Sequence, residues 1–95
     1  MNDGRAGTTA RSLIRDRLLR LVGQILGKPA DAAPSLPIEA RLSELGMSSI
    51  KMVNLMLSVE SEFDLTIPQG EITPDNFRSV ASVEALVARL LALKS

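Results

Sequence analysis

The chain has 95 residues, with no Cys, His, Trp or Tyr and only Phe63 and Phe77 as aromatics. That length makes one small domain, with an aliphatic core of Leu, Ile, Val and Met that favours helices packed on helices. The missing Cys excludes a disulfide framework, a thiolate metal site and a cysteine nucleophile, and the missing His removes the commonest general base and metal ligand. The chain therefore reads as a non-enzyme, and any thiol chemistry must come from an imported prosthetic group.

The formal net charge is zero but unevenly spread: residues 1–28 carry six basic and two acidic side chains, and residues 29–95 five basic and nine acidic. A basic N-terminal part is one signature of a nucleic-acid or membrane patch. No aromatics interleave with its arginines, so a solvated helix face is the preferred reading and no nucleic-acid partner is expected. No run approaches the ~20 apolar residues that span a bilayer. The first residues lack a hydrophobic signal region, so the sequence predicts a cytoplasmic protein with no membrane partner.

Residues 1–8 are small and polar and are expected to be disordered, with residues 9–95 forming the domain. Thr8 or Thr9 is a candidate cap for a first helix over residues 10–26, with Ile14, Leu18, Leu21, Val22 and Ile25 at helical spacing. Gly27 and then Pro29 end it. Residues 28–44 hold Pro29, Pro34 and Pro37 and make a long connection. Leu36, Ile38, Leu42 and Leu45 are expected to pin it, with a short helical turn around Glu39–Glu44.

The second helix is predicted over Ser49–Phe63 with Ser48 as N-cap. Met52, Leu55, Met56, Val59 and Phe63 make its core stripe. Ile50, Val53 and Leu57 form a second apolar row. It either meets a partner or is covered by helix one or the long loop. Glu60 and Glu62 lie two apart on the helix and cannot face each other as a carboxylate pair. Pro68 blocks continuation, and residues 69–79 read as loop with one turn starting at Pro74. Ser82 is the expected cap of the last helix. Glu84 falls in its first turn, Val83, Leu86, Val87, Leu90 and Leu91 form its stripe, and Lys94 ends it. Arg15 is expected to be solvated or paired locally. Three long helices plus one short turn make an all-α, small four-helix bundle.

The junction before helix two carries the chemistry. Gly46 precedes Met47 and two serines that open an apolar helix. A hydroxyl there sits beside N–H groups without intrahelical partners, a setting that favours phosphate.

Leu45-Gly46-Met47-Ser48-Ser49-Ile50 resembles the acyl carrier protein signature, in which Leu-Gly, one variable residue and Asp-Ser-Leu open helix two. The resemblance continues through Val53, Leu55, Glu60, Glu62 and Phe63, then Ile67-Pro68, Phe77 and Ser82-Val83, covering about residues 40–92. It implies the family's bundle, with 4′-phosphopantetheine attached to Ser49 through a phosphodiester. Ser48, Met47 and Ile50 would flank the phosphate, and Ile50, Lys51, Val53, Asn54 and Leu57 would line a partner face. The implied partners are a phosphopantetheinyl transferase, a ligase that loads the thiol and a downstream acceptor enzyme. Ser48 stands where the family has Asp. That loses a negative charge, keeps a good cap and leaves Ser48 as the alternative attachment point.

Lys51, Asn54 and Ser61 occupy positions often acidic in the family, so steering by basic partners is expected to weaken and apolar contact to dominate. The Gly-x-Ser-Ser pattern followed by Val-x-Leu-Met-Leu is similar to stand-alone carriers of small amino acids, typically glycine or alanine. Those are charged by ligases resembling truncated aminoacyl-tRNA synthetases. The alternatives are an acyl carrier for a specialised fatty-acid or polyketide pathway, and an unmodified helical interaction domain.

Overall fold

A computed structural model of the chain describes residues 5–94. Three α-helices, α1 (Arg5–Leu26), α2 (Ser49–Phe63) and α3 (Val80–Lys94), are joined by segments holding 3₁₀ turns at Ala30–Ser35, Leu42–Leu45 and Gln69–Glu71. No strand occurs among the described residues, and the all-α carrier-type bundle is the observed architecture.

The helices bury aliphatic stripes against one another, with α1 in the middle, touching α3, α2 and the Ala30–Ser35 turn. Leu18 and Val22 of α1 meet Leu55 and Val59 of α2 and Val80, Val83, Leu86 and Val87 of α3 in one contiguous core. Leu42, from the long connection, is as fully buried as any of them. Dense aliphatic burial of this kind is the main stabilising term for so small a domain.

The helix ends follow local chemistry. Gly27 stops α1 at φ +77, with Lys28 N–H donating to the Gly23 carbonyl and Gly27 N–H to that of Gln24. This is the Schellman arrangement that needs a residue free of a Cβ penalty. The start of α1 differs from expectation. It begins at Arg5, so Thr8 and Thr9 lie inside it rather than capping it. Thr costs a helix interior only about 0.7 kcal/mol or less, so its presence does not force a boundary. Residues 1–4, the first part of the expected disordered terminus, lie outside the described residues.

The long connection holds two short turns: an unexpected one at Ala30–Ser35, and one at Leu42–Leu45 that overlaps the turn expected around Glu39–Glu44. The first packs on α1 where Gly23 faces it. A Cβ on Gly23 would sit 3.2 Å from the Ala33 Cβ, so glycine lets the two elements approach a few tenths of an ångström closer than alanine would. The connection is also stitched to the start of α3. Ala81 N–H donates to the Ile38 carbonyl and Leu42 N–H to that of Arg78. The first of these satisfies an amide that a helix cannot satisfy within itself. Leu42 is buried, and Leu36, Ile38 and Leu45 are half-buried against the core.

Ser82 does not cap α3 alone. The helix starts at Val80, after Ser79, and the two serines cap reciprocally. Ser82 N–H donates to Ser79 Oγ at 3.2 Å, and Ser79 N–H to Ser82 Oγ at 3.0 Å. Two amides of the first turn are thereby satisfied in the manner of a capping box. The expected single turn at Pro74 is present, closed by Phe77 N–H on the Thr73 carbonyl at 3.2 Å.

Glu84, expected in the first turn of α3, lies just past it because the helix starts at Val80. It is 2% exposed and takes the Arg15 Nε–H at 2.7 Å. Arg15 thus pairs not with a local neighbour but with a residue 69 positions away, while nearly half of its side chain stays in water. A buried carboxylate requires such partners. The hydrogen bond and the charge of Glu84 raise the Arg15 guanidinium above its ordinary pKa. A raised cation contributes stability below its unfolded value, so raising the pH through the neutral range does not remove this contribution. Arg15→Ala should lower unfolding free energy by about 1–2 kcal/mol, because half of the Arg15 side chain is already in water. A lower urea midpoint at unchanged m-value would register it. Next along α1, Arg17 pairs with Glu62 at 3.5 Å and lies over the Phe63 ring at 6.0 Å. Two arginines of the basic segment are therefore committed to the bundle.

Candidate functional site

The site is built around the turn that delivers the chain into α2. Gly46 ends the Leu42–Leu45 turn at φ +101, with its N–H on the Leu42 and Ser43 carbonyls. Met47 follows, its N–H on the Leu42 carbonyl at 3.0 Å and its side chain in the core. Met47 therefore acts as an anchor, clamping the backbone just before the serines. Gly46→Ala should cost about 1–2 kcal/mol, because a Cβ is strained at that φ although there is room for it. Thermal denaturation of the variant should show a melting point lower by several degrees.

Ser48 is the N-cap of α2, in extended conformation. Its Oγ accepts the Lys51 N–H at 3.3 Å, and its carbonyl accepts the first intrahelical bond from Met52 N–H at 2.8 Å. Ser49 is the first residue of α2 and is exposed. Its hydroxyl has no hydrogen-bond partner among the described residues, whereas that of Ser48 is engaged. The N–H groups of Ser49 and Ile50 belong to the turn that no helical carbonyl reaches. No acidic residue stands in the first turn of α2. A phosphodiester on the Ser49 oxygen fits here: the hydroxyl is free, amides and the helix dipole favour the negative charge, and no carboxylate opposes it.

Ile50, Val53 and Leu57 are 77%, 53% and 59% exposed, so neither α1 nor the long connection covers this row. The core side of the same helix carries buried Leu55, Val59 and Phe63, with Met52 and Met56 half-buried. Asn54 is exposed on the outer face beside Ile50. Lys51 is half-buried and, two residues past Ser49, leaves the opposite side of the helix. The structure thus brings Ser49, Ile50, Val53 and Leu57 together, and leaves Met47 beneath and Lys51 at the far border. A groove of about 550 Å³ opens beside α2, lined by Arg41, Met52, Met56, Ile72, Phe77 and Arg78 among others. Sequence reasoning did not find that groove, because the loop residues 72–78 reach α2 only through the fold.

Residues 16–90 match the family described as the phosphopantetheine attachment site, a span that contains the whole of this site and most of the bundle. This chain belongs to that family. It is a carrier, not an enzyme, and its prosthetic group is 4′-phosphopantetheine, installed by a phosphopantetheinyl transferase.

Relatives in this family narrow the comparison. Aminoacyl carrier protein 1 of Bradyrhizobium diazoefficiens is 53% identical over 74 residues, which cover 78% of this chain and 81% of that protein. Aminoacyl carrier protein 2 of the same organism is 47% identical over 78 residues, covering 82% and 86%. The crystal structure of Bradyrhizobium japonicum glycine:[carrier protein] ligase complexed with glycylated carrier protein holds a similar chain. That likeness has a TM-score of 0.62 at 47% identity and covers 77% of this chain and 97% of that one. Among the described residues no helix is long and apolar enough to cross a membrane.

Proposed function

We propose that this protein is an aminoacyl carrier in which Ser49 bears the phosphopantetheine arm. The arm's thiol holds a small amino acid, glycine or alanine, as a thioester. A dedicated ligase loads it and a downstream enzyme accepts the cargo, in the cytoplasmic setting expected from the sequence. The observation that carries the reading is the start of α2. There one exposed, unbonded hydroxyl stands at the first helical position, directly after a serine whose own hydroxyl is spent on capping. The glycylated relative supports the cargo, since this chain covers nearly all of that carrier at 47% identity.

Each residue has a defined part. Gly46 and Met47 fix the direction in which the chain enters α2. Ser48 satisfies the Lys51 amide and keeps the helix from fraying. Ser49 presents its oxygen outward, and the free amides beside it stabilise the negative charge of the phosphodiester. The prosthetic group supplies the thiol that a chain without cysteine lacks.

The test is a loading assay. Holo-protein is incubated with ATP, the Bradyrhizobium japonicum ligase and radiolabelled glycine or alanine. Label that stays with the protein in acid and leaves in neutral hydroxylamine is the expected result. Label absent from this protein but present on the Bradyrhizobium carrier would contradict the aminoacyl assignment.

A further inference from the structure

Arg41 and Arg78 are far apart in the chain, and the fold brings them together. Leu42 N–H donates to the Arg78 carbonyl at 2.8 Å, and Arg41 is the extended residue just before Leu42. Both arginines are exposed, and no carboxylate among the described residues pairs with either. Arg15, Arg17, Arg89 and Lys94, by contrast, each have a carboxylate partner within the bundle. Two like charges held near each other repel unless an anion meets them.

Both arginines line the groove of about 550 Å³ beside α2. The rest of its lining is largely apolar: half-buried Met52 and Met56 of α2, buried Phe77, and Ile72, which is 43% exposed. The wall opposite α2 is held in place. Asn76 Nδ2 donates to the Glu71 carbonyl at 2.8 Å and to Glu71 Oε1 at 3.0 Å, and Arg89 of α3 donates to that same oxygen at 3.0 Å. A wall fixed in this way gives up little freedom when something binds against it. Asp75 is the single acid in the lining, and it pairs with neither arginine.

Such a groove is complementary to an apolar side chain flanked by carboxylates. A guanidinium takes a carboxylate through two parallel N–H donors, so geometry as well as charge selects the partner. Met52 lies three residues after Ser49 on the same side of the helix, which puts the groove about one turn from the root of the arm. An enzyme working on the arm's thiol therefore passes close to it.

Resting on the aminoacyl-carrier reading, we infer that the loading ligase presents an acidic segment to this groove. An apolar side chain of that segment rests on Met52, Met56 and Phe77, and its carboxylates meet Arg41 and Arg78. Here the carrier supplies the cations and the enzyme the anions.

The experiment measures the Bradyrhizobium japonicum ligase's KM for holo-protein with glycine as cargo, at low and high sodium chloride. Arg41→Gln, Arg78→Gln, the double glutamine variant, Arg41→Glu, Arg78→Glu and Arg20→Glu are compared with wild type, each shown by intact mass to be fully modified. Arg20 is an exposed cation on α1 outside the groove, and its reversal changes the net charge as much as either groove reversal does. Each single glutamine variant should raise KM about threefold or more, and each groove reversal about tenfold or more, since reversal adds repulsion to the lost attraction. Arg20→Glu should stay within about twofold, the usual outcome for a charge outside the contact. Wild-type KM should rise about threefold or more with salt, and the double glutamine variant should lose most of that dependence. Both groove arginines are exposed and unpaired, so kcat and melting temperature should hold at wild-type values.

A wild-type KM in the Arg41 and Arg78 variants would overturn the groove as a docking site while leaving the aminoacyl reading intact. An Arg20→Glu KM that climbs as far as the groove reversals would show attraction by net charge alone and overturn the groove likewise. A wild-type KM indifferent to salt would overturn the acidic segment. A sedimentation profile showing a dimer that Arg78→Glu dissolves would assign the groove to a second copy of the chain instead. Failure of the wild type to load, with the Bradyrhizobium carrier loading normally, would remove the aminoacyl reading and this inference with it.

Discussion

Ser49→Ala should fold as the wild type does and accept no phosphopantetheine at all. The side chain is exposed and makes no hydrogen bond among the described residues, so its removal takes nothing from the bundle. Alanine is also a better helix former than serine, by a few tenths of a kcal/mol. Circular dichroism and the melting temperature should therefore be unchanged or slightly raised, while the intact mass stays that of the apo-protein under conditions that convert the wild type. The companion variant behaves in the opposite way. Ser48→Ala removes the hydroxyl that caps the Lys51 amide, and should cost about 1 kcal/mol of stability while leaving modification in place. Loss of modification in Ser48→Ala with retention in Ser49→Ala would move the attachment point to Ser48.

The largest stability effect is expected two residues before Leu57 on the same helix. Leu55 is completely buried, in the cluster that joins α2 to α1 and α3. Leu55→Ala removes three heavy atoms' worth of packing and leaves a cavity that the surrounding aliphatics fill only in part. The cost is about 2–5 kcal/mol, a large share of the roughly 5–15 kcal/mol that holds a domain of this kind together. At about 4–8 °C per kcal/mol for a chain of this size, the melting point should fall by about 8–40 °C. A truncation at Leu57 should leave it nearly unchanged. The contrast follows from which side of α2 each residue occupies, and a calorimetric scan of the pair reads it directly.

That two-faced helix was legible in the sequence because its signals are local. Ser48 as cap, the Ser49–Phe63 span and the apolar row at Ile50, Val53 and Leu57 all follow from spacing and capping chemistry. Gly27 likewise marked the end of α1. The features that escaped depend on residues distant in the chain. Nothing near Glu84 says that it is buried, since its partner Arg15 lies 69 positions away. A glutamate beside an apolar stripe reads as a solvated one. Ser79 and Ser82 are equally good caps by type, and the choice was settled by the long connection, whose Ile38 carbonyl takes the Ala81 amide.

The site divides in the same way. The exposed hydroxyl and its helix terminus were readable from Gly46 through Ile50. The inward turn of Met47 was not, because a methionine before a helix fits core or surface equally well. The side of α2 on which Lys51 leaves was implicit in the helical period. Its separation from Ser49 counts only because the structure shows which side of the helix is buried.

The central claim is that one hydroxyl, that of Ser49, carries the prosthetic arm. It is tested most directly by an intact-protein mass spectrum of the wild-type chain after co-expression with a broad-specificity phosphopantetheinyl transferase, followed by fragmentation of the modified peptide. A gain of one phosphopantetheine, located on Ser49, is expected. A gain located on Ser48, or no gain while a control carrier is fully converted, would contradict it.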